Sequence, residues 1–224
     1  MSAGRRAAAG VWLALACAPA AGGNYCGELD NAFGPYDYRS HQGGDLQVVE
    51  KHHFTEQVAA GVRGETGYLG GDLDYTLRAF PNHVPALLTM SRLGLQGKSA
   101  TVRGAPFPVE CYFERALRFA PDDAAVLSAY ANFALKQGRP EQALPLFQRA
   151  AALEPENAAV NYNMGLAYLK RRDYAQANVY AQKAYALGFP LPGLRNLLRA
   201  AGQWREAPAA PPPAESAAAD SGGG

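Results

Sequence analysis

Two copies of one short motif decide the fold of this chain: PDDAAV at residues 121–126 and PENAAV at residues 155–160, an offset of 34. A fixed period of this size indicates stacked supersecondary units. Each unit divides into two amphipathic helical patterns separated by a glycine or polar turn. The patterns cover 124–136 and 140–153, then 158–171 and 174–187. The sequence therefore predicts stacked, antiparallel helix pairs.

Small and aromatic residues occupy recurring places in both units. They are Ala143, Phe147, Ala150 and the closing Pro155 in the first unit, and Gly165, Tyr168, Ala177 and Ala184 in the second. Small side chains let two helices approach closely, and an aromatic ring fills the space between neighbouring pairs. In these residues the chain resembles the tetratricopeptide repeat (TPR). The resemblance implies an all-α solenoid of helical hairpins that binds a protein or peptide segment.

More divergent units flank these two repeats. Helical patterns at 84–95 and 109–117 form an earlier pair, joined by a long loop, 96–108, which we expect to project from the stack and to be available to a partner. Residues 74–80 read as the second helix of another pair, and 194–200 as a short capping helix. We therefore divide the chain into an irregular N-terminal segment with a short helix (21–71), TPR-like repeats with a capping helix (72–204) and a tail (205–224). The tail is rich in Ala, Pro and Gly, a composition that predicts disorder.

The N-terminus has the pattern of a secretory leader. Arg5 and Arg6 precede an uncharged run at 7–16, and small residues follow at 18–20. This pattern predicts a signal peptide over residues 1–20 and a periplasmic or secreted protein after its cleavage. A buried N-terminal helix and a lipid on Cys17 are the alternatives, and lipidation is disfavoured because Ala14 stands where a lipoprotein signal usually has leucine.

Charge argues against two classes of partner. Removing residues 1–20 takes away two arginines and no acid, which leaves 19 Lys and Arg against 20 Asp and Glu. A nearly neutral chain without a basic stripe offers no electrostatic footprint for nucleic acid or an anionic membrane. No apolar run approaches the ~20 residues of a transmembrane helix. We therefore expect a protein partner, no nucleic acid and no transmembrane segment.

Two cysteines remain after the leader, Cys26 and Cys111. An even pair in an oxidising compartment predicts one disulfide, which would tie the N-terminal segment to the helical body. Two buried free thiols are the alternative.

Several short motifs outside the repeats extend the resemblance. Among them are Gly34-Pro35-Tyr36, His53-Phe54-Thr55, the stretch 71–83 and Gly188-Phe189-Pro190. With these motifs the whole chain is similar to a family of exported bacterial TPR proteins that has no assigned activity. This similarity implies the compartment and leaves the partner open.

Catalytic motifs are absent from the sequence. It contains no Gly-rich phosphate loop, nucleophile elbow or Cys-x-x-Cys pair, so we expect neither an enzyme nor a cofactor. We interpret Asp72 and Asp74 as helix N-caps. The alternative function is a ligand- or metal-dependent site in the N-terminal Gly/Tyr/His-rich segment, which would need His52, His53, Asp72 or Asp74 to converge in a pocket with perturbed ionisation.

The concave face is the predicted binding site, because the TPR resemblance places the first helix of every pair there. The partner-binding residues are expected to be Ser128, Asn132, Lys136, Tyr162, Asn163, Leu166 and Lys170. The resemblance implies that Asn132 and Asn163 hydrogen-bond a bound peptide; intramolecular capping or simple solvent exposure is the alternative. The basic residues of a C-terminal carboxylate clamp are not matched, which favours an extended internal segment as ligand. The sequence thus predicts a scaffold that serves as an adaptor in an envelope assembly or export process.

Overall fold

A computed structural model describes residues 25–41 and 43–206 of the chain. The predicted leader with Cys17 and the predicted disordered tail from residue 207 onward lie outside the described residues.

The described ranges contain ten α-helices and no strand. The helices are α1 Gly44–His53, α2 Glu56–Ala60, α3 Leu69–Ala79, α4 Val84–Gly97, α5 Val109–Phe119, α6 Ala124–Lys136, α7 Pro140–Leu153, α8 Ala158–Lys170, α9 Tyr174–Ala186 and α10 Gly193–Ala200. Antiparallel pairs form between α6 and α7 and between α8 and α9. The predicted all-α hairpin solenoid is confirmed.

The repeated proline motifs position the N-caps of the first helices. Asp123 accepts hydrogen bonds from the backbone N–H groups of the residues two and three positions later, both at 3.1 Å. Asn157 does the same 34 residues on, at 3.0 and 3.1 Å. In the earlier repeat the cap is His83, whose Nδ1 accepts from the N–H of Ala86 at 3.1 Å. A polar side chain at this place satisfies N–H groups that a helix start leaves free, so each repeat begins at a fixed residue.

The hairpin turns also repeat. Gly138, between α6 and α7, has φ +76°, and Arg172, at the equivalent place between α8 and α9, has φ +61°. Left-handed backbone costs glycine little, whereas arginine pays a steric penalty there. The second hairpin therefore keeps the turn geometry of the first although its glycine has been replaced.

Small residues set the distance between helices. Ala143, Ala150, Ala177 and Ala184 are fully buried. A Cβ atom placed on Gly165 would lie 2.4 Å from Leu194 and 3.3 Å from the carbonyl oxygen of Ala177. The α8–α9 crossing and the seat of α10 therefore depend on the missing side chain at this position.

The N-terminal segment contains two helices, α1 and α2, where the sequence interpretation placed one, and α3 begins at Leu69, inside the range 21–71. One buried amide joins this segment to the repeats. Asn82 Oδ1 accepts from the N–H of Tyr38 at 2.9 Å, and its Nδ2 donates to Asp37 at 2.8 Å and to the cap residue Asp123 at 2.9 Å. Hydrogen bonds from Arg39 and Asn82 hold the pKa of Asp37 below its ordinary value, despite its partial burial.

A disulfide provides a second attachment of the N-terminal segment. It joins Cys26 to Cys111 in α5, with their Cα atoms 4.9 Å apart. Beside it the buried Arg115 donates to the carbonyl oxygens of Cys26 and Glu28. The segment before α1 is thus fixed covalently and by hydrogen bonds to the second helix of a repeat.

The loop between α4 and α5 is exposed at residues 98–101 and contacts the start of α3 around Arg103. The carbonyl oxygen of Arg103 accepts from the N–H of Gly70 at 3.1 Å, and the Arg103 guanidinium lies 4.0 Å from the centre of the Tyr68 ring. A Cβ atom on Gly70 would lie 2.5 Å from that carbonyl oxygen, so glycine is what permits this contact. The loop therefore packs on the start of α3.

Replacing Ala177 by leucine should destabilise the fold by about 1–3 kcal/mol, because the larger side chain overfills the contact between α8 and α9. The measurement is urea unfolding followed by circular dichroism. The control is Ala175→Leu, on the exposed side of the same helix. Equal unfolding midpoints for the two variants would contradict the close approach described here.

In protein that lacks residues 1–20, and therefore Cys17, the Cys26–Cys111 bond should leave almost no thiol to label under denaturing, unreduced conditions. Its loss should lower the free energy of unfolding by up to about 4 kcal/mol, because the open chain regains loop entropy. A Cys26→Ser/Cys111→Ser variant should match the reduced protein and show no further response to reductant. Two labelled thiols in oxidised protein would show that the bridge does not form.

Candidate functional site

A cavity of about 640 Å³ opens on the first helices of the repeats. Its lining includes five residues predicted from the sequence: Asn132, Lys136, Asn163, Leu166 and Lys170. Three further leucines complete it: Leu135, Leu169 and Leu197. All of these belong to α6, α8 and α10, and none to α7 or α9. We call this cavity the groove.

Two asparagines in the groove have unused hydrogen-bonding capacity. The side chains of Asn132 and Asn163 are partly buried and form no hydrogen bond within the described ranges. Other asparagines of these repeats are used structurally: Asn161 donates to two backbone carbonyls before α8, and Asn178 donates to the carbonyl oxygens of Tyr174 and Gln203. An amide both donates and accepts, so the groove pair can bond to either polar group of a peptide backbone.

The groove also carries two lysines, at the ends of α6 and α8. Lys136 and Lys170 are exposed, and neither forms a salt bridge in the described part of the chain. The nearby turn arginines differ, because Arg139 pairs with Glu110 and Arg171 pairs with Glu141. Within the described residues both groove lysines therefore keep an unpaired charge, as do Arg172 and Lys183 outside the groove.

A second cavity, of about 460 Å³, extends the concave surface toward α2 and α4. Lys136 lines both cavities, and Leu88 and Arg92 of α4 line the second. Arg92 donates to the carbonyl oxygen of Ala59 at 2.8 Å, which holds its guanidinium at the junction of α4 and α2. We did not identify these residues from the sequence because this repeat is divergent. Their position on α4, the first helix of its repeat, is the feature that would have predicted them as lining residues.

Two of the predicted residues lie outside the lining of the groove. The hydroxyl of Tyr162 accepts a hydrogen bond from the N–H of Leu194 at 3.0 Å, and its ring stacks on Phe189 with centroids 4.0 Å apart. Tyr162 is therefore engaged within the chain, where it anchors α10, the helix that supplies Leu197 to the groove. Ser128 is partly buried, and its Oγ has no hydrogen-bond partner among the described residues.

Asp72 is not an N-cap, so that expectation is also wrong. Helix α3 begins at Leu69, and Asp72 lies one turn inside it, where it accepts from the backbone N–H groups of Glu65 at 2.8 Å and Thr66 at 3.2 Å. It also contacts His53 Nδ1 at 3.0 Å. Burial raises the pKa of Asp72, but the hydrogen bonds from Thr66 and His53 outweigh burial and place it below the ordinary value. The Asp72 carboxylate therefore holds the loop around Glu65 and Thr66 against the first turn of α3.

Asp74 is not an N-cap either. It accepts from Arg78 at 2.9 Å and from the hydroxyl of Tyr112 at 2.8 Å. It therefore joins α3 to α5.

The histidines lie in separate environments. His83 is buried and contacts Glu50 at 3.2 Å, His41 contacts Asp45 at 2.9 Å, and His52 is exposed. Burial lowers the pKa of His83. No group of three or more potential metal ligands occurs in the described ranges. Of the four residues named for the alternative N-terminal site, His53 and Asp72 are in contact, at 3.0 Å, and Asp74 instead bonds to Arg78 and Tyr112.

Helices long and apolar enough to cross a membrane are absent from the part of the chain that the structure describes.

Comparison with known proteins gives one family. Residues 134–184, from the end of α6 through nearly all of α9, match the family described as tetratricopeptide repeat. A search of curated proteins finds no match. The matched range contains the small residues and the turn that define the α8–α9 hairpin. The match and the helical stack together support the TPR family, whose repeats suggest a helical scaffold for protein–protein interaction.

Proposed function

We propose that this chain is an exported scaffold that holds a segment of another protein in the groove formed by α6, α8 and α10. The observation that carries this proposal is the cavity of about 640 Å³ with two partly buried asparagines that have no intramolecular partner. The polar atoms of Asn132 and Asn163 are not among the buried side-chain atoms that lack a partner, so water can reach both amides in the free protein. A peptide backbone in the groove would replace this water with direct hydrogen bonds and leave the fold undisturbed.

Apolar contact supplies the attraction in this proposal. Leu197 is 51% exposed, and it lies with partly buried leucines of α8 across the opening of the groove. When apolar side chains of a bound segment cover these leucines, apolar surface leaves water and the free energy of the complex falls. The asparagines fix the direction and register of the segment.

Export and an adaptor role in an envelope assembly or export process complete the proposal. Support comes from the leader pattern at residues 1–20, from the similarity to exported bacterial TPR proteins, and from the Cys26–Cys111 pairing, which suits an oxidising compartment.

Photo-crosslinking in the native cell tests the groove. Leu197→p-benzoylphenylalanine should give a crosslinked protein partner, because the probe lies in the groove. The control is Val179→p-benzoylphenylalanine on α9, whose native residue is 56% exposed, close to the 51% of Leu197. Identical crosslinked products from both sites would show that the groove is not the binding surface.

Asn132→Ala/Asn163→Ala should then weaken binding of the crosslinked partner by about 1 kcal/mol per lost hydrogen bond, roughly fivefold each. Folding should be unaffected, because neither amide supports the fold. Gln148→Ala/Gln176→Ala, which removes exposed amides of α7 and α9, is the matched control. Unchanged affinity of a folded double asparagine variant, measured by calorimetry, would remove these residues from the site.

Export predicts that envelope-fraction protein begins near Ala21. N-terminal sequencing of that protein is the measurement. A mature protein that still starts at Met1 would rule out cleavage of the leader.

A further inference from the structure

We infer that the groove selects an extended segment whose carboxylate side chains pair with Lys136 and Lys170 and whose apolar side chains cover the leucines between them. This inference rests on the proposed groove function and adds the chemical class of the partner segment.

Charge in the two concave cavities has one sign. Their ionisable lining residues are Arg92, Lys136 and Lys170, and neither lining contains an aspartate or a glutamate. Glu110 and Glu141, on the second helices α5 and α7, are engaged by the turn arginines. An occupant with carboxylates would therefore meet cations that have no competing internal partner, whereas a basic occupant would be repelled.

Repeat geometry sets the spacing of the proposed carboxylates. Lys136 and Lys170 are 34 residues apart and each is the last residue of its helix, so they occupy equivalent places on neighbouring first helices. Packed helices lie about 8–10 Å apart, and an extended chain advances about 3.3 Å per residue. Acidic residues two to four positions apart would reach both ammonium groups.

Between the two lysines lies an apolar floor. Leu135, Leu166 and Leu169 line the same cavity as both ammonium groups. Alternate side chains of an extended segment share a face, so acids four positions apart with an apolar residue midway would present all three side chains to the groove. Exposed ion pairs contribute little each, about two- to fivefold in affinity, so the leucines provide most of the attraction and the lysines provide selectivity.

The test uses a randomised library of acetylated and amidated twelve-residue peptides, selected on the folded protein. Blocked ends remove terminal charges, so any charge preference must come from side chains. Selected peptides should be enriched in Asp and Glu two to four positions apart, with leucine-like residues between them. The affinity of the acidic peptides, measured by fluorescence anisotropy, should fall as salt is raised, because salt screens the ion pairs. It should also fall about fivefold or more when the acids are changed to their amides.

A charge-reversal variant separates selectivity from groove binding. Lys136→Glu/Lys170→Glu should lose at least tenfold in affinity for the acidic peptides and should select basic peptides instead. Lys51→Glu/Lys183→Glu changes net charge equally at exposed positions of α1 and α9 and should bind as the parent does.

Three results would overturn the inference, and each points to a different fault. Selected peptides without an acidic bias, but still weakened by Asn132→Ala/Asn163→Ala, would leave the groove function standing and remove the charge selectivity. If neither the asparagine variant nor the charge-reversal variant changes the affinity of any selected peptide, both this inference and the proposed groove function are wrong. If a blocked peptide of residues 207–224, which carries Glu215 and Asp220, binds the groove more tightly than the selected peptides, the occupant is this chain's own tail.

Discussion

Close approach of antiparallel helices is the constraint on which the rest of the structure depends. It is possible only because alanine and glycine occupy the crossing points, as at Ala177 and Gly165. At Gly165 even a single Cβ atom would collide with Leu194. Once the helices are this close, the hairpin turns, the N-caps and the seat of α10 have little freedom. The groove follows from the same constraint, because the spacing of α6, α8 and α10 fixes the width of the cavity between them.

The sequence predicted those parts of the molecule that follow from local periodicity. The 34-residue repeat gave α6–α9 nearly residue by residue, and placing first helices on the concave face found most of the groove lining, including Asn132 and Lys170. The errors have a common physical origin in contacts that are distant in sequence or specific to one loop. Asp72 is a residue type that favours N-cap positions, but its carboxylate accepts hydrogen bonds from the loop that precedes the helix. The hydroxyl of Tyr162 accepts a hydrogen bond from a residue 32 positions later. No local rule contains that information.

The divergent first half of the chain shows the same limit from another side. Polar and aromatic residues that looked like a candidate ligand site are used for attachment: each histidine that contacts a carboxylate contacts a different one, and Asn82 joins three segments through one amide. A buried amide with all its partners present rigidifies its surroundings, whereas the groove asparagines lack such partners. The same residue type therefore serves two purposes. Asn82, like Asn161 and Asn178, holds the scaffold together, whereas the groove pair form no hydrogen bond among the described residues.

The disulfide divides the scaffold mechanically. It closes a covalent ring from Cys26 to Cys111 that contains α1–α4 and the start of α5, while α6–α10 lie outside it. Tension applied between a point before Cys26 and the C-terminal end passes through the sulfur atoms and bypasses the ring. The first four helices then bear no load, and only the chain after Cys111 can be extended. If a partner pulled on the C-terminal end of the groove, the helices α6–α10 would be the ones to unfold. The helices α1–α4, inside the disulfide ring, would stay folded because the force does not act on them.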